Sequence, residues 1–259
     1  MLRICEDRVS VTELVSVYDS QSPAYHRAFE VFLAHTDQKE KARIWLKGLV
    51  QGLPSRQMFI DAGACNGKVT AWFLADFQRT IAIEPNPSLC DELARTCPTA
   101  EVLPQTMLAA QPSALADLVL CSHVLYYIDG ADWILHLETL ASWLAPGGVL
   151  VVVLQNHDTD CMRMLEHFHG RRFDLSALAS RFEALRGRHY RVEAALVPAR
   201  VATVDFDSAY TVAEFMLNLL PMPHPPPRRT LEEYVRKHFA DPGGGFRFSC
   251  DQNFLTVRR

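Results

Sequence analysis

Met58-Phe-Ile, Thr80-Ile-Ala-Ile83, Leu118-Val-Leu-Cys121 and Val149-Leu-Val-Val-Val-Leu154 are short apolar runs without a polar break. Runs of that length, rich in β-branched and leucine residues, predict strands covered on both faces, as in a parallel sheet flanked by helices. Elsewhere the apolar positions recur at helical spacing. Tyr25, Phe29, Phe32 and Leu33 give the segment before the first strand one apolar face that must cover something. Residues 161–170 and 175–185 read as helices, and so does 210–220, which stops at Pro221 and the proline run to Pro227. A helix is also expected after Gly67, and another from Thr230 with its hydroxyl as N-cap. Residues 190–204 read as one long strand, and Gly243-Gly-Gly245 turns the chain into a last alternating strand.

These elements predict an α/β chain with a helical N-terminal lid over 1–53 and one domain over 54–259. A strand-rich core occupies about 56–155, and a helical insertion at about 205–242 precedes the last strand. Internal repeats are absent from the sequence. At 259 residues the length suits a single α/β sheet with additions. A net charge of −4 without a long basic run disfavours a nucleic-acid substrate. Seven cysteines, at positions 5, 65, 90, 97, 121, 161 and 250, form no Cys-x-x-Cys pair, which suits a reducing compartment. No uncharged run reaches membrane-spanning length, and Met1-Leu-Arg-Ile-Cys-Glu-Asp-Arg8 lacks a signal-peptide pattern. A cytoplasmic enzyme is the expectation, with no membrane or nucleic-acid partner.

The first strand breaks into Asp61-Ala-Gly63-Ala-Cys-Asn-Gly67-Lys68, and the second is tipped with Glu84. Gly63 and Gly67 allow a sharp turn close to a ligand, and a helix start would offer unpaired N–H groups. An acid at the carboxyl end of the next strand is placed to accept hydrogen bonds from two ribose hydroxyls. The loop matches neither Gly-x-Gly-x-x-Gly nor a Gly-Lys-Ser/Thr phosphate loop, so phosphate is disfavoured and a nucleoside remains.

Asp61-x-Gly63-x-x-x-Gly67 resembles motif I of class I S-adenosylmethionine-dependent methyltransferases, with Cys65 where many members carry glycine. The order of the later segments agrees, down to Ala116-Asp117 and Pro146-Gly147-Gly148. That resemblance implies a Rossmann-like sheet, mostly parallel with an antiparallel last strand. Tyr25-x3-Phe29-x2-Phe32-Leu33-x-His35-Thr36, Glu84-Pro85, Leu125-Tyr126-Tyr127, Gly170-x-Arg172-Phe173, Glu214-Phe215 and Phe248-x5-Phe254 resemble, in order, landmarks of the histamine N-methyltransferase family. The resemblance implies S-adenosylmethionine as cofactor, held by Asp61, Ala62, Gly63, Asn66, Gly67, Glu84, Pro85, Thr106, Met107, Ser122 and His123. It implies a substrate cavity lined by Tyr25, Phe29, Gln38, His123, Tyr126, Tyr127, Phe173, Phe215 and Cys250.

Several of those positions have changed identity. Gln38 stands where that family has a glutamate, His123 where it has glutamine, Cys250 where it has asparagine, and Met162 and Glu166 replace two tryptophan walls. Loss of the carboxylate at Gln38 removes a partner for a protonated amine. The expected substrate is a small nitrogen compound other than histamine: an imidazole, histidine derivative, amine or other heteroaromatic. His123 is the candidate catalytic side chain, either accepting a proton or hydrogen-bonding the substrate. His157, Asp158, Asp160, His167 and His169 match no metal-ligand spacing and read as solvated surface, so no metal is expected. Oxygen or sulfur acceptors, a non-catalytic S-adenosylmethionine-binding protein, and a protein or RNA methyltransferase remain as alternatives. The last would need an open charged groove in place of a lid.

Overall fold

The computed structural model describes residues 13–19 and 22–259. Cys5 and the other predicted lid positions 1–12, 20 and 21 lie outside the described residues.

The strand β1 (Met58–Ala62) is buried at all five positions, which its uninterrupted apolar run requires. It pairs in parallel with β2 (Arg79–Ile83) on one side and β4 (Ala116–Ser122) on the other. Beyond β2 lies β3 (Glu101–Leu103); beyond β4 lies β5 (Leu144–Gln155), both parallel to their neighbours. The last strand β9 (Gln252–Arg258) inserts antiparallel between β5 and β6 (Arg191–Val197), giving the order β3-β2-β1-β4-β5-β9-β6. Chain order reverses between β1 and β4, so their carboxyl ends border a crevice. Gly63 and His123 immediately follow those two strands.

Alternate residues of the strands face two separate cores. On one face Phe59, Leu118, Leu120, Val151 and Phe254 pack with Leu46 and Val50 of α2 (Gln38–Gln51). On the other, Ile60, Val119, Leu150 and Leu255 pack with Leu137 of α4 (Trp133–Ser142) and Phe182 of α6 (Leu175–Arg186). The helix α3 (Pro87–Thr96), capped by the Asn86 side chain, links β2 to β3, and α5 (Asp160–His169) ends at left-handed Gly170. Helix α1 (Pro23–His35) lies against α7 (Phe206–Leu217), where Phe215 meets Tyr25, Phe29 and Phe32 at ring-centroid distances of 5.4–5.5 Å. Residues 13–19 join the same cover: Ser16 N–H and the Tyr18 hydroxyl donate to Glu214, and Val15 N–H to the Pro226 carbonyl.

Four local expectations change. The segment after Gly67 makes only a short 3-10 turn, Thr70–Trp72, where an α-helix was predicted. Val69, Thr70, Trp72 and Phe73 are poor helix formers, and the Thr70 hydroxyl and the Phe73 and Phe77 rings are drawn to Asp61 and Phe59. The predicted strand 190–204 divides at Pro198 into β6 and β7 (Arg200–Thr203), since proline cannot donate to a ladder. The terminal strand likewise divides into β8 (Phe246–Ser249), which pairs with β7, and β9. Helix α8 (Arg228–His238) starts before Thr230 with Pro227 at its cap, because the Pro227 carbonyl already accepts Thr230 N–H at 2.9 Å.

Candidate functional site

The loop after β1 alternates left-handed residues: φ is +84° at Gly63, +51° at Cys65 and +80° at Gly67. Cys65 therefore holds a conformation that glycine adopts without strain and an L side chain at a cost of about 1–2 kcal/mol. The amides of this loop are turned inward. Gly63 and Ala64 N–H donate to the Ile83 carbonyl at 2.8 and 3.0 Å, Gly67 N–H to Ala64 at 2.9 Å, and Cys65 N–H to Glu84 Oε2 at 2.9 Å. The expectation of bare amides at a helix start gives way to a loop whose donors fix a carboxylate.

Glu84 is that carboxylate. It is buried; Oε1 accepts from Asn86 N–H at 2.9 Å, and the Cys90 thiol donates to its carbonyl at 3.0 Å. One backbone donor per oxygen leaves each oxygen a further lone pair, aligned side by side. Asp61, also buried, accepts the Thr70 hydroxyl at 2.6 Å, and burial raises its pKa to about 6 against the pull of Lys39. Ala62 is buried beside it, Asn66 is half-buried, and Pro85 is exposed. After β3, Thr106 is exposed and its carbonyl closes a turn on Ala109 and Ala110, while the Met107 side chain is buried. Ser122 ends β4 opposite Val153, half-buried.

His123 has φ +60°, held by its N–H on the Val153 carbonyl at 2.8 Å. Its Nε2 lies 2.7 Å from the Gln252 amide, and its ring stacks on Tyr126 with centroids 5.9 Å apart. The Tyr126 hydroxyl accepts Gln155 N–H at 2.7 Å, and Phe173 meets Tyr126 edge-on at 5.2 Å. Burial, and then the nearby Tyr127, push the Tyr25 hydroxyl above its usual range. Cys65 and Tyr127 are exposed, while Lys39 and His123 are half-buried.

Some predicted lining residues are engaged with the protein itself. Gln38 is buried and donates to the Cys250 carbonyl at 3.0 Å; the buried Cys250 thiol lies 3.5 Å from the Thr36 hydroxyl. Together they stitch α2 to the β8–β9 junction. Phe29 and Phe215 join α1 to α7. Met162 is buried and Glu166 is exposed, 3.9 Å from Arg172. The solvated-surface reading of the histidine cluster fails at His157, which lies mostly buried between Asp158 at 3.1 Å and Asp174 at 3.3 Å. His169 is half-buried too, its Nε2 3.0 Å from the Leu217 carbonyl, while His167 stacks on Tyr234. Lys39, Gln155 and Gln252 escaped the sequence reading; a polar residue ending each of two apolar strands was the only signal for the glutamines.

Burial, and then the Lys39 charge, lower the His123 imidazole to about 3. An unfolded histidine near ~6.5 takes up a proton that the folded one refuses. This contribution to stability is therefore complete above the unfolded pKa and is lost as pH falls, by about 3 kcal/mol between pH 6.5 and pH 4. Denaturant unfolding of His123→Asn, which tolerates the left-handed backbone, should lack that slope. Asp61, with its pKa raised, slopes the opposite way and is common to both proteins, so the difference isolates His123.

Among solved structures the chain is similar to a Bacillus halodurans C-125 protein described as a candidate methyltransferase. Identity is 11%, TM-score 0.61, and 83% of this chain and 97% of that one are covered. The YcgJ protein of Bacillus subtilis follows at 13% identity and TM-score 0.55, covering 83% and 97%. DhpI, solved as a SAM–HEP complex, shares 16% identity at TM-score 0.52, covering 91% of this chain and 94% of its own. At such identities the likeness is one of fold. No curated protein sequence matches the chain. The family model described as a methyltransferase domain matches residues 33–193, from the end of α1 through the carboxylate-tipped crevice to β6. On the strength of that match, and of the sheet order and crevice that accompany it, the chain belongs to the methyltransferase domain family.

Proposed function

We propose that this methyltransferase transfers a methyl group from S-adenosylmethionine to a nitrogen of a small neutral molecule. The observation that carries the reading is the Glu84 carboxylate, fixed by two backbone donors at the crevice, with a lone pair left on each oxygen. Adjacent ribose hydroxyls match that pair of acceptors. DhpI, of the same fold, is solved both with SAH and with SAM, which supports the same donor here. Gly63, Cys65 and Gly67 would shape the sugar side, and Met107 and Ser122 the base side.

The donor, when bound, supplies an activated methyl on sulfur. What remains for the protein is to hold a nitrogen lone pair in line with it, and orientation of that kind is worth about 7–11 kcal/mol of barrier. A small acceptor is favoured by the cover of α1, α7 and residues 13–19. A neutral acceptor is favoured because Gln38 is buried against Cys250 and the charge facing His123 is the Lys39 ammonium. His123, neutral at physiological pH, would position the acceptor by a hydrogen bond. The resemblance of the aromatic landmarks to histamine N-methyltransferases supports nitrogen over oxygen or sulfur.

Calorimetry with S-adenosylmethionine and S-adenosylhomocysteine tests the donor. A mass-spectrometric screen of imidazoles, amines, thiols and phenols tests the acceptor. The reading predicts binding of both donor forms and a single methyl gained by an imidazole-type compound. Indifference to both donor forms removes the donor assignment, and turnover confined to thiols or phenols removes the nitrogen.

A further inference from the structure

Beneath His123 lie two amides whose hydrogen bonding is incomplete. Gln155 and Gln252 end β5 and begin β9, directly opposite one another in the antiparallel ladder, so their side chains stand on one face as a cross-strand pair. Both are almost wholly buried, at 3% and 1% exposure, and the Oε1 atom of each is buried without a partner. At the same place the Gln252 side-chain nitrogen faces His123 Nε2 at 2.7 Å. Buried acceptors left empty forfeit hydrogen bonds that water would have supplied, so two adjacent orphans call for an explanation.

Rotating the Gln252 amide by half a turn removes the difficulty. Which terminal atom of a glutamine is oxygen is settled by its hydrogen bonds, and the rotated assignment leaves no Gln252 oxygen orphaned. The oxygen then faces His123 Nε2 and can accept only if that nitrogen carries the proton. The NH2 group then takes the place of the orphaned oxygen, and Gln155 Oε1, the other unpartnered acceptor, directly across the ladder, is the atom it would serve.

Resting on the methyl-transfer reading, we infer that Gln155 and Gln252 form a relay that fixes His123 in its Nε2–H tautomer and leaves the Nδ1 lone pair to accept an N–H from the substrate. Among the described residues Nδ1 has no partner, and unlike the two amide oxygens it is not sealed from solvent. Stacking on Tyr126 and the Val153 carbonyl on the His123 amide hold the ring in place. The opposite tautomer would present a donor at Nδ1 and select an acceptor atom. The inferred one selects a molecule carrying an N–H beside a free nitrogen lone pair, as an unsubstituted azole does, and discriminates against its N-alkylated form. Gln252 is thus a positioning residue that acts through His123.

The test is a long-range 1H–15N correlation spectrum of the full chain at neutral pH without methyl donor, with His123→Asn assigning the His123 signals. Protonated Nε2 and bare Nδ1 are expected; a proton on Nδ1, an average of the two tautomers, or an imidazolium overturns the relay. Gln252→Leu should abolish the tautomer preference and lower kcat on an N–H azole by about tenfold or more, with S-adenosylmethionine affinity within about twofold. Gln252→Glu, whose carboxylate accepts the same proton, should restore the tautomer. An unchanged tautomer in folded Gln252→Leu also overturns the relay. Loss of donor binding would defeat the functional reading while leaving the tautomer where the relay puts it.

Discussion

Glu84→Ala is expected to weaken S-adenosylmethionine binding by about 100-fold or more in titration calorimetry. Hydrogen bonds to a charged acceptor contribute roughly 1.5–3 kcal/mol each, and on the proposed reading two ribose hydroxyls would engage this one group. The same substitution releases Cys65 N–H and Asn86 N–H, which the carboxylate holds at 2.9 Å, so the glycine loop loses its anchor at the same time. Glu84→Gln separates these roles. Its amide oxygen can keep one backbone donor while its NH2 group meets the other donor head-on, so an intermediate loss is expected. Wild-type affinity in Glu84→Ala, with the fold intact by circular dichroism, would place the sugar elsewhere and remove the observation on which the proposed activity rests.

Gly63→Ala is expected to destabilise the protein by about 2–5 kcal/mol. Two independent effects add. The backbone sits at φ +84°, which an L side chain occupies at a cost of about 1–2 kcal/mol. A Cβ there would also lie 2.4 Å from Val124 Cγ2, an overlap that typically adds about 1–3 kcal/mol. For a domain whose whole stability is about 5–15 kcal/mol, that is a large fraction, and thermal unfolding should shift down by roughly 5–15 °C. Val124→Ala in the Gly63→Ala background should restore the overlap share and leave the backbone share. Gly170→Ala is the control: φ is +65° but a Cβ there meets nothing within 4 Å, so only the smaller backbone loss should appear. Equal losses at Gly63 and Gly170 would show that the Val124 contact carries no energy.

Much of the sheet could be read from one dimension because burial on both faces leaves its mark residue by residue. Met58-Phe-Ile and Val149–Leu154 could not sit on a solvated surface, and Glu84 at a strand's end stood out as an acid in need of hydrogen-bond donors. What misled was competition between local preference and tertiary demand. The segment after Gly67 followed the pattern of a strand–loop–helix unit, yet its β-branched and aromatic residues were taken by Asp61 and Phe59. The strand 190–204 looked continuous, and only the need of β7 for β8 made the break at Pro198 a change of sheet. His157 looked solvated because nothing in its own neighbourhood announces Asp174 as a second carboxylate against it.

Taken alone, the order of residues determined the layered α/β architecture, the glycine loop and the acid across from it, since strand burial, left-handed turns and carboxylate placement are local requirements. Only the folded chain decided that the loop amides turn inward onto Glu84, that Gln38 and Cys250 bind each other's segments, and that Gln155 and Gln252 meet beneath His123. Those partners are far apart in the chain, 97 positions for Gln155 and Gln252. Hydrogen-bond partnership depends on distance and direction in space, which separation along a chain does not encode.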